Sequence, residues 1–158
     1  EQIVAQIAIL ICFQSLILDM AGNVGTQSLA VTIRVLTDEA LPMSEKLHLI
    51  SKEVRVGLTN GTLLGVIAFG VVTFYTMVLK HYPLSYSMAV GACVAIALML
   101  AMTISSFAGT AIPMVFDKFG VDPAVASGPL ITTVNDLVAV ISYYGLAWLM
   151  LIQVFHLV

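Results

Sequence analysis

Asp136 is the side chain in this sequence with the clearest capacity for chemistry. It lies thirteen residues beyond Pro123, inside the last apolar run, with Thr132, Thr133 and Asn135 just before it and no basic residue nearby. A carboxylate at membrane depth costs several kcal/mol unless it meets water, an ion or a partner, so it marks a candidate functional site. A second polar group interrupts the first apolar run: Asp19, then Gly22, Asn23, Gly25, Thr26 and Gln27. Carboxylates, amides, hydroxyls and exposed carbonyls are all oxygen donors. Neither His nor Cys joins them, which disfavours a soft metal and suits hard cations.

Among hard cations Mg²⁺ gives up water reluctantly and is held through one or two carboxylates with several waters retained. One Asp136 per chain supplies half of such a site. The reading therefore implies a C2 homodimer with a pore at or near the axis. Two facing carboxylates repel when no cation lies between them, which favours occupancy. The alternative for Asp136 is a hydrogen-bonded clamp to a neighbouring helix. Asp19 fits either an outer mouth or a helix contact.

The elements that must carry these groups are membrane spans. Of the 158 residues 60% are hydrophobic and 9% charged, far below the roughly 25% charged residues of soluble domains. Four apolar runs, at about residues 3–36, 56–79, 86–116 and 124–155, each reach the roughly 20 residues that cross about 30 Å of hydrocarbon. The expected fold is an all-α membrane protein, a bundle of four transmembrane helices. Glycine and asparagine at 22–25 weaken a helix, so the first span is expected to be kinked and broken there, beside protein or a wet cavity. Pro113 is expected to kink the third span, and Gly128-Pro129 to loosen the first turns of the fourth.

Residues 37–55 are the polar stretch. Leu47, Ile50 and Val54 suggest a short amphipathic helix on the membrane surface, with Pro42 in its first turn and Ser44 as cap. Gly57, Gly61 and Gly65 form a small-residue face for close helix packing. Cys12 and Cys93 read as small buried packing residues. With no basic stretch and a net charge of −3, nucleic acid is not an expected partner. No nucleophile–base pair or phosphate loop points to an enzyme, and no organic cofactor is implied.

Orientation follows from charge. Loops 34–55 and 117–123 hold Arg34, Lys46, Lys52, Arg55 and Lys118, whereas the opposite side has Lys80. The excess places loops 34–55 and 117–123 in the cytoplasm. A start outside the cell with no signal peptide then implies an upstream span. Depth can be counted from both ends: Asn23 lies eleven residues before Arg34, roughly 16 Å at helical rise, and Asp136 roughly 20 Å past Pro123. The two polar groups thus reach similar depths on antiparallel spans, which is the basis for a hydrophilic path.

The segments GNVGTQSLAVTIRVL, EVRVGLTNGTLLG and DPAVASGPLITTVNDLVAVISYYGLA resemble the membrane domain of the MgtE magnesium channels and their relatives, the eukaryotic solute-carrier magnesium transporters. The likeness covers all but the first of five family helices. It implies a homodimeric, Mg²⁺-permeable pore in a cell membrane, lined by the second and fifth family helices, here 3–36 and 124–155. It also implies that Asp136 is the principal group binding hydrated Mg²⁺, with Gly22, Asn23, Gly25, Thr26 and Gln27 beside the pore. Full-length bacterial members add a cytoplasmic Mg²⁺-sensing part that gates it. Asp19 stands where the family has a small residue, and would add an outer cation site or shift selectivity. Three activities compete: a channel, a carrier coupled to Na⁺ or H⁺, and a non-transporting scaffold.

Overall fold

The structure, a computed structural model, describes residues 2–38, 42–124 and 128–150, with the side chains of 2–7 and 38 left aside. Four long helices make up the described chain: α1 (Gln2–Asp38), α2 (Met43–Phe74), α3 (Leu84–Lys118) and α4 (Gly128–Ala147). All four are long and apolar enough to cross a membrane. Residues 151–155 of the expected fourth span lie outside the described residues.

α3 is the core of the bundle. In its most apolar stretch 56% of residues are buried, against 22% to 28% in the other three. It packs on α1, α2 and α4, and α4 also packs on α1, while α1 and α2 scarcely meet. Sequence explains the closeness of α2 and α3. Gly57 sits on the Met102 carbonyl and the Ser106 side chain, Gly61 on the Met99 backbone, and Gly65 on the Ala95 carbonyl. A Cβ at Gly61 would lie 2.8 Å from the Met99 Cα, so this face admits no side chain. Such packing replaces the hydrophobic drive that lipid cannot supply.

Several expectations change. The first span is one helix, continuous through Gly22–Gln27 rather than broken. In hydrocarbon an open backbone costs several kcal/mol per unsatisfied group, more than the propensity cost of two glycines. Thr26 shares its hydroxyl proton between the carbonyls of Gly22, at 2.9 Å, and Asn23, at 3.0 Å. The separate amphipathic surface helix is likewise absent: residues 43–55 are the opening turns of α2 itself. No glycine or proline separates Ser44 from the apolar run, so the helix propagates. Its N-cap is Pro42, with no side-chain cap, in place of Ser44.

The buried face of that segment also differs. Leu49 and Glu53 are buried, continuing the line of Gly57, Gly61 and Gly65, while Leu47 is exposed. Contact with α3 sets the face, not the local apolar spacing. At the same end Lys46 pairs with Asp117 of α3 at 2.7 Å. α2 closes in a π-helical turn, Tyr75–Leu79, where the Lys80 N–H bonds the Tyr75 carbonyl at 3.2 Å. His81 then takes φ 58° to turn the chain into Pro83, the N-cap of α3. Helix α3 continues through Pro113 to Lys118. Gly128 and Pro129, expected to loosen a helix, are both helical within α4 as described. Cys12 is exposed, contrary to expectation, and Cys93 is buried; both are free thiols.

Two tyrosines fasten α4 to α1. The fully buried Tyr143 hydroxyl donates to the Leu10 carbonyl at 2.8 Å, and Tyr144 donates to Gln14 Oε1 at 2.7 Å. Tyr143→Phe should cost about 1 kcal/mol, because the Leu10 carbonyl remains within its own helix. Thermal unfolding in detergent should place Tyr143→Phe a few degrees below wild type. A fall as large as that of a core truncation would contradict this account.

Candidate functional site

The helical period decides which polar groups share a face. On α1, Ser15, Asp19, Gly22, Asn23 and Thr26 follow at intervals of three and four, and on α4 Thr132 and Asp136 are one turn apart. These residues, with Leu16 and Leu18, line a single cavity of about 810 Å³ between α1 and α4. The two groups matched for depth in the sequence therefore face each other across one space. Asp136 is half-buried and Asp19 exposed.

The remaining residues of the two polar bands lie elsewhere. Gln27 and Thr133 are exposed and outside the lining. Gly25 and Asn135 are buried and turned the other way, packed against each other. A Cβ on Gly25 would overlap the Asn135 carboxamide, and one on Gly109 of α3 would overlap the Gly25 carbonyl. The three form the junction where α1, α3 and α4 come closest. Neither amide atom of Asn135 has a hydrogen-bond partner among the described residues. Ser28 adds a nearby tie, its hydroxyl 3.2 Å from that of Ser106 on α3. Ser15 was not placed in the ion path from the sequence, though its position one turn before Asp19 is the signal that finds it.

Electrostatically the cavity is one-sided. Its lining holds two carboxylates, three hydroxyls and one amide, and no Lys, Arg or His. Among the described residues the Asp136 carboxylate makes no ion pair, the one salt bridge being Lys46–Asp117. The hydroxyl protons nearby point back into their own helices: Thr132 donates to the Gly128 carbonyl at 3.1 Å and Thr26 to α1. Their oxygen lone pairs stay available to water. Nor do three His, Cys, Asp or Glu side chains converge anywhere among the described residues, so no closed cage for a dehydrated ion is offered there. The arrangement suits a cation that keeps its own water shell.

Four apolar helices of spanning length around a buried core, with an acidic, oxygen-lined cavity between two of them, define a multi-pass α-helical membrane protein. The family model for MgtE, divalent cation transporter, matches residues 14–146. The chain belongs to the MgtE family. It is 40% identical over 147 residues to a protein of Enterococcus faecalis named magnesium transporter MgtE, a match that covers 93% of this chain and 30% of that protein. Proteins of the same name from Bacillus subtilis and Thermus thermophilus are 36% and 28% identical, over 93% and 96% of this chain and 31% of each relative. The chain thus spans under a third of the length of the curated relatives it matches.

Proposed function

We propose that this chain forms the ion-conducting part of a Mg²⁺ transport protein, and that Asp136 binds the ion through its water shell. The observation that carries the reading is the shared cavity of Asp136, Asp19 and Asn23, with no basic group in its lining. Six waters at about 30 Å³ each make a hydrated Mg²⁺ of roughly 180 Å³, which the 810 Å³ space accommodates. Partial negative charge from hydroxyls and amide oxygens can accept hydrogen bonds from the ion's waters, so full dehydration is not required. Relatives named as magnesium transporters support the same ion.

The proposed assembly is a C2 homodimer in the cell membrane, with the cavity at or near the axis and residues 34–55 and 117–123 on the cytoplasmic side. Leu130, Leu137 and Ile141 on the outward face of α4 are exposed, which supports a second copy or lipid against that face. A channel is the mechanism we propose. A coupled carrier would instead give a reversal potential that depends on Na⁺ or H⁺. The test is Mg²⁺ uptake into liposomes by the full-length protein, wild type against Asp136→Asn.

Because Asp19 lines the same cavity, one chain already brings two carboxylates to it. Asp19→Asn is expected to reduce uptake less than Asp136→Asn and to alter competition by Ca²⁺, Mn²⁺ and Co²⁺. Unchanged uptake and unchanged competition would remove Asp19 from the ion path.

A further inference from the structure

We propose that the outward face of α2 binds one anionic phospholipid, its headgroup on His48, Lys52 and Arg55 and an acyl chain along the helix below. His48, Ser51, Lys52, Arg55, Thr59 and Asn60 line a pocket of about 360 Å³ on one face of α2. His48, Lys52 and Arg55 are all exposed. No carboxylate pairs with either Lys52 or Arg55 among the described residues: Lys46 takes Asp117, and Glu53 is buried on the opposite face of the helix.

Two observations point to a lipid. The first is depth. Thr59 and Asn60 carry the polar lining one turn beyond Arg55, into a helix that is otherwise apolar, and lysine and arginine at such a level extend to the headgroups. The second is the apolar surface directly below the pocket. Leu63, Val66 and Ile67 continue the same face and are exposed. Three residues past Thr59 begins a groove of about 300 Å³ between α2 and α3, lined by Thr62, Gly65, Val66, Phe69, Ala95 and Met99 among others. A basic pocket above an almost wholly apolar groove on the same helix matches a phospholipid end to end, whereas free phosphate uses only the first. Positive-inside charge puts this end of α2 at the cytoplasmic leaflet, where anionic lipids reside.

The lipid site is independent of the ion path. Each lysine or arginine near an anionic surface contributes about fivefold in affinity, so Lys52 and Arg55 together are expected to prefer phosphatidylglycerol over phosphatidylcholine by about 25-fold. The experiment uses full-length protein, delipidated in detergent and titrated with each lipid, with retained adducts read by native mass spectrometry. Wild type should retain phosphatidylglycerol selectively. His48→Gln/Lys52→Gln/Arg55→Gln should lose the preference while keeping its melting temperature in phosphatidylcholine. A second variant, Val66→Asn, should weaken retention without touching the charges. Inorganic phosphate should not compete at lipid-matched concentration. A preference that survives the triple variant overturns the proposal. So does competition by inorganic phosphate, which would mean a bare anion site. Equal retention of both lipids by wild type also overturns it, and would point to an acidic protein segment covering this face.

Discussion

Asp136→Asn should lower Mg²⁺ uptake by the full-length protein at least about tenfold. A carboxylate and Mg²⁺ separated by one water lie about 5 Å apart, from a metal–oxygen distance near 2.1 Å and a hydrogen bond near 2.8 Å. A double and a single charge at that separation attract by about 1.7 kcal/mol even at the dielectric of bulk water, and by several times more in a partly buried site. The lower figure alone corresponds to more than tenfold in occupancy. Asparagine keeps the shape and one oxygen, so the change removes charge and little else. Asp136 makes no ion pair among the described residues, and its loss therefore strands no buried cation. The variant should fold like wild type, with an unchanged melting temperature. Flux at wild-type level in that folded variant would make Asp136 a helix clamp in place of the ion-binding group, whereas a wild type with no uptake above empty liposomes would leave the scaffold reading. A proportionate loss in Asp136→Asn with Na⁺- or H⁺-dependent reversal potentials in wild type would favour the coupled carrier.

Much of this site was legible because depth in a membrane can be counted. Helical rise and the positions of Arg34 and Pro123 were enough to bring Asn23 and Asp136 to one level, and both line the cavity. Rotation around the helix was legible too but needed stricter use of the 100° step. Asn135 is one step from Asp136, which turns it off the cavity and onto Gly25. The break expected at Gly22–Gln27 failed for a different reason. Propensity scales come from water, where an opened turn finds new hydrogen-bond partners. Within the bundle it finds none, and the helix closes. The fate of residues 43–55 was hidden for a third reason. Their apolar spacing favoured a face through Leu47 and Ile50, while the contact of Gly57 with α3 one turn later fixed Glu53 and Leu49 inward. A buried carboxylate such as Glu53 has no local signature, because the helix against which it is buried is distant in sequence.

Gly109→Ala should be the most damaging one-methyl change in the chain, and its effect should reach the cavity. A Cβ there would overlap the Gly25 carbonyl and lie 3.1 Å from the Gly25 carbonyl carbon and 3.3 Å from the Leu29 nitrogen. All three are backbone atoms, so no side chain can swing aside and α1 must move off α3. Overpacking of this kind costs about 1–3 kcal/mol. Alanine is the better helix former by about 1 kcal/mol, so propensity works against the loss without reversing it. Gly70 and Gly145 supply the control, since a Cβ at either meets nothing within 4 Å. Gly70→Ala and Gly145→Ala should be neutral or slightly stabilising in detergent melts, while Gly109→Ala falls by several degrees. The functional consequence comes through α1. Gly25 is the point at which α1 touches both Gly109 and Asn135, and it is one turn from Gly22 and next to Thr26 on the cavity wall. Displacing α1 there changes the distance between Asp19 and Asp136, so Gly109→Ala should alter competition among divalent ions even in the fraction that stays folded. A melting temperature equal to that of Gly70→Ala would mean that α1 and α3 are not held at backbone contact. The spacing of the two carboxylates would then need another cause.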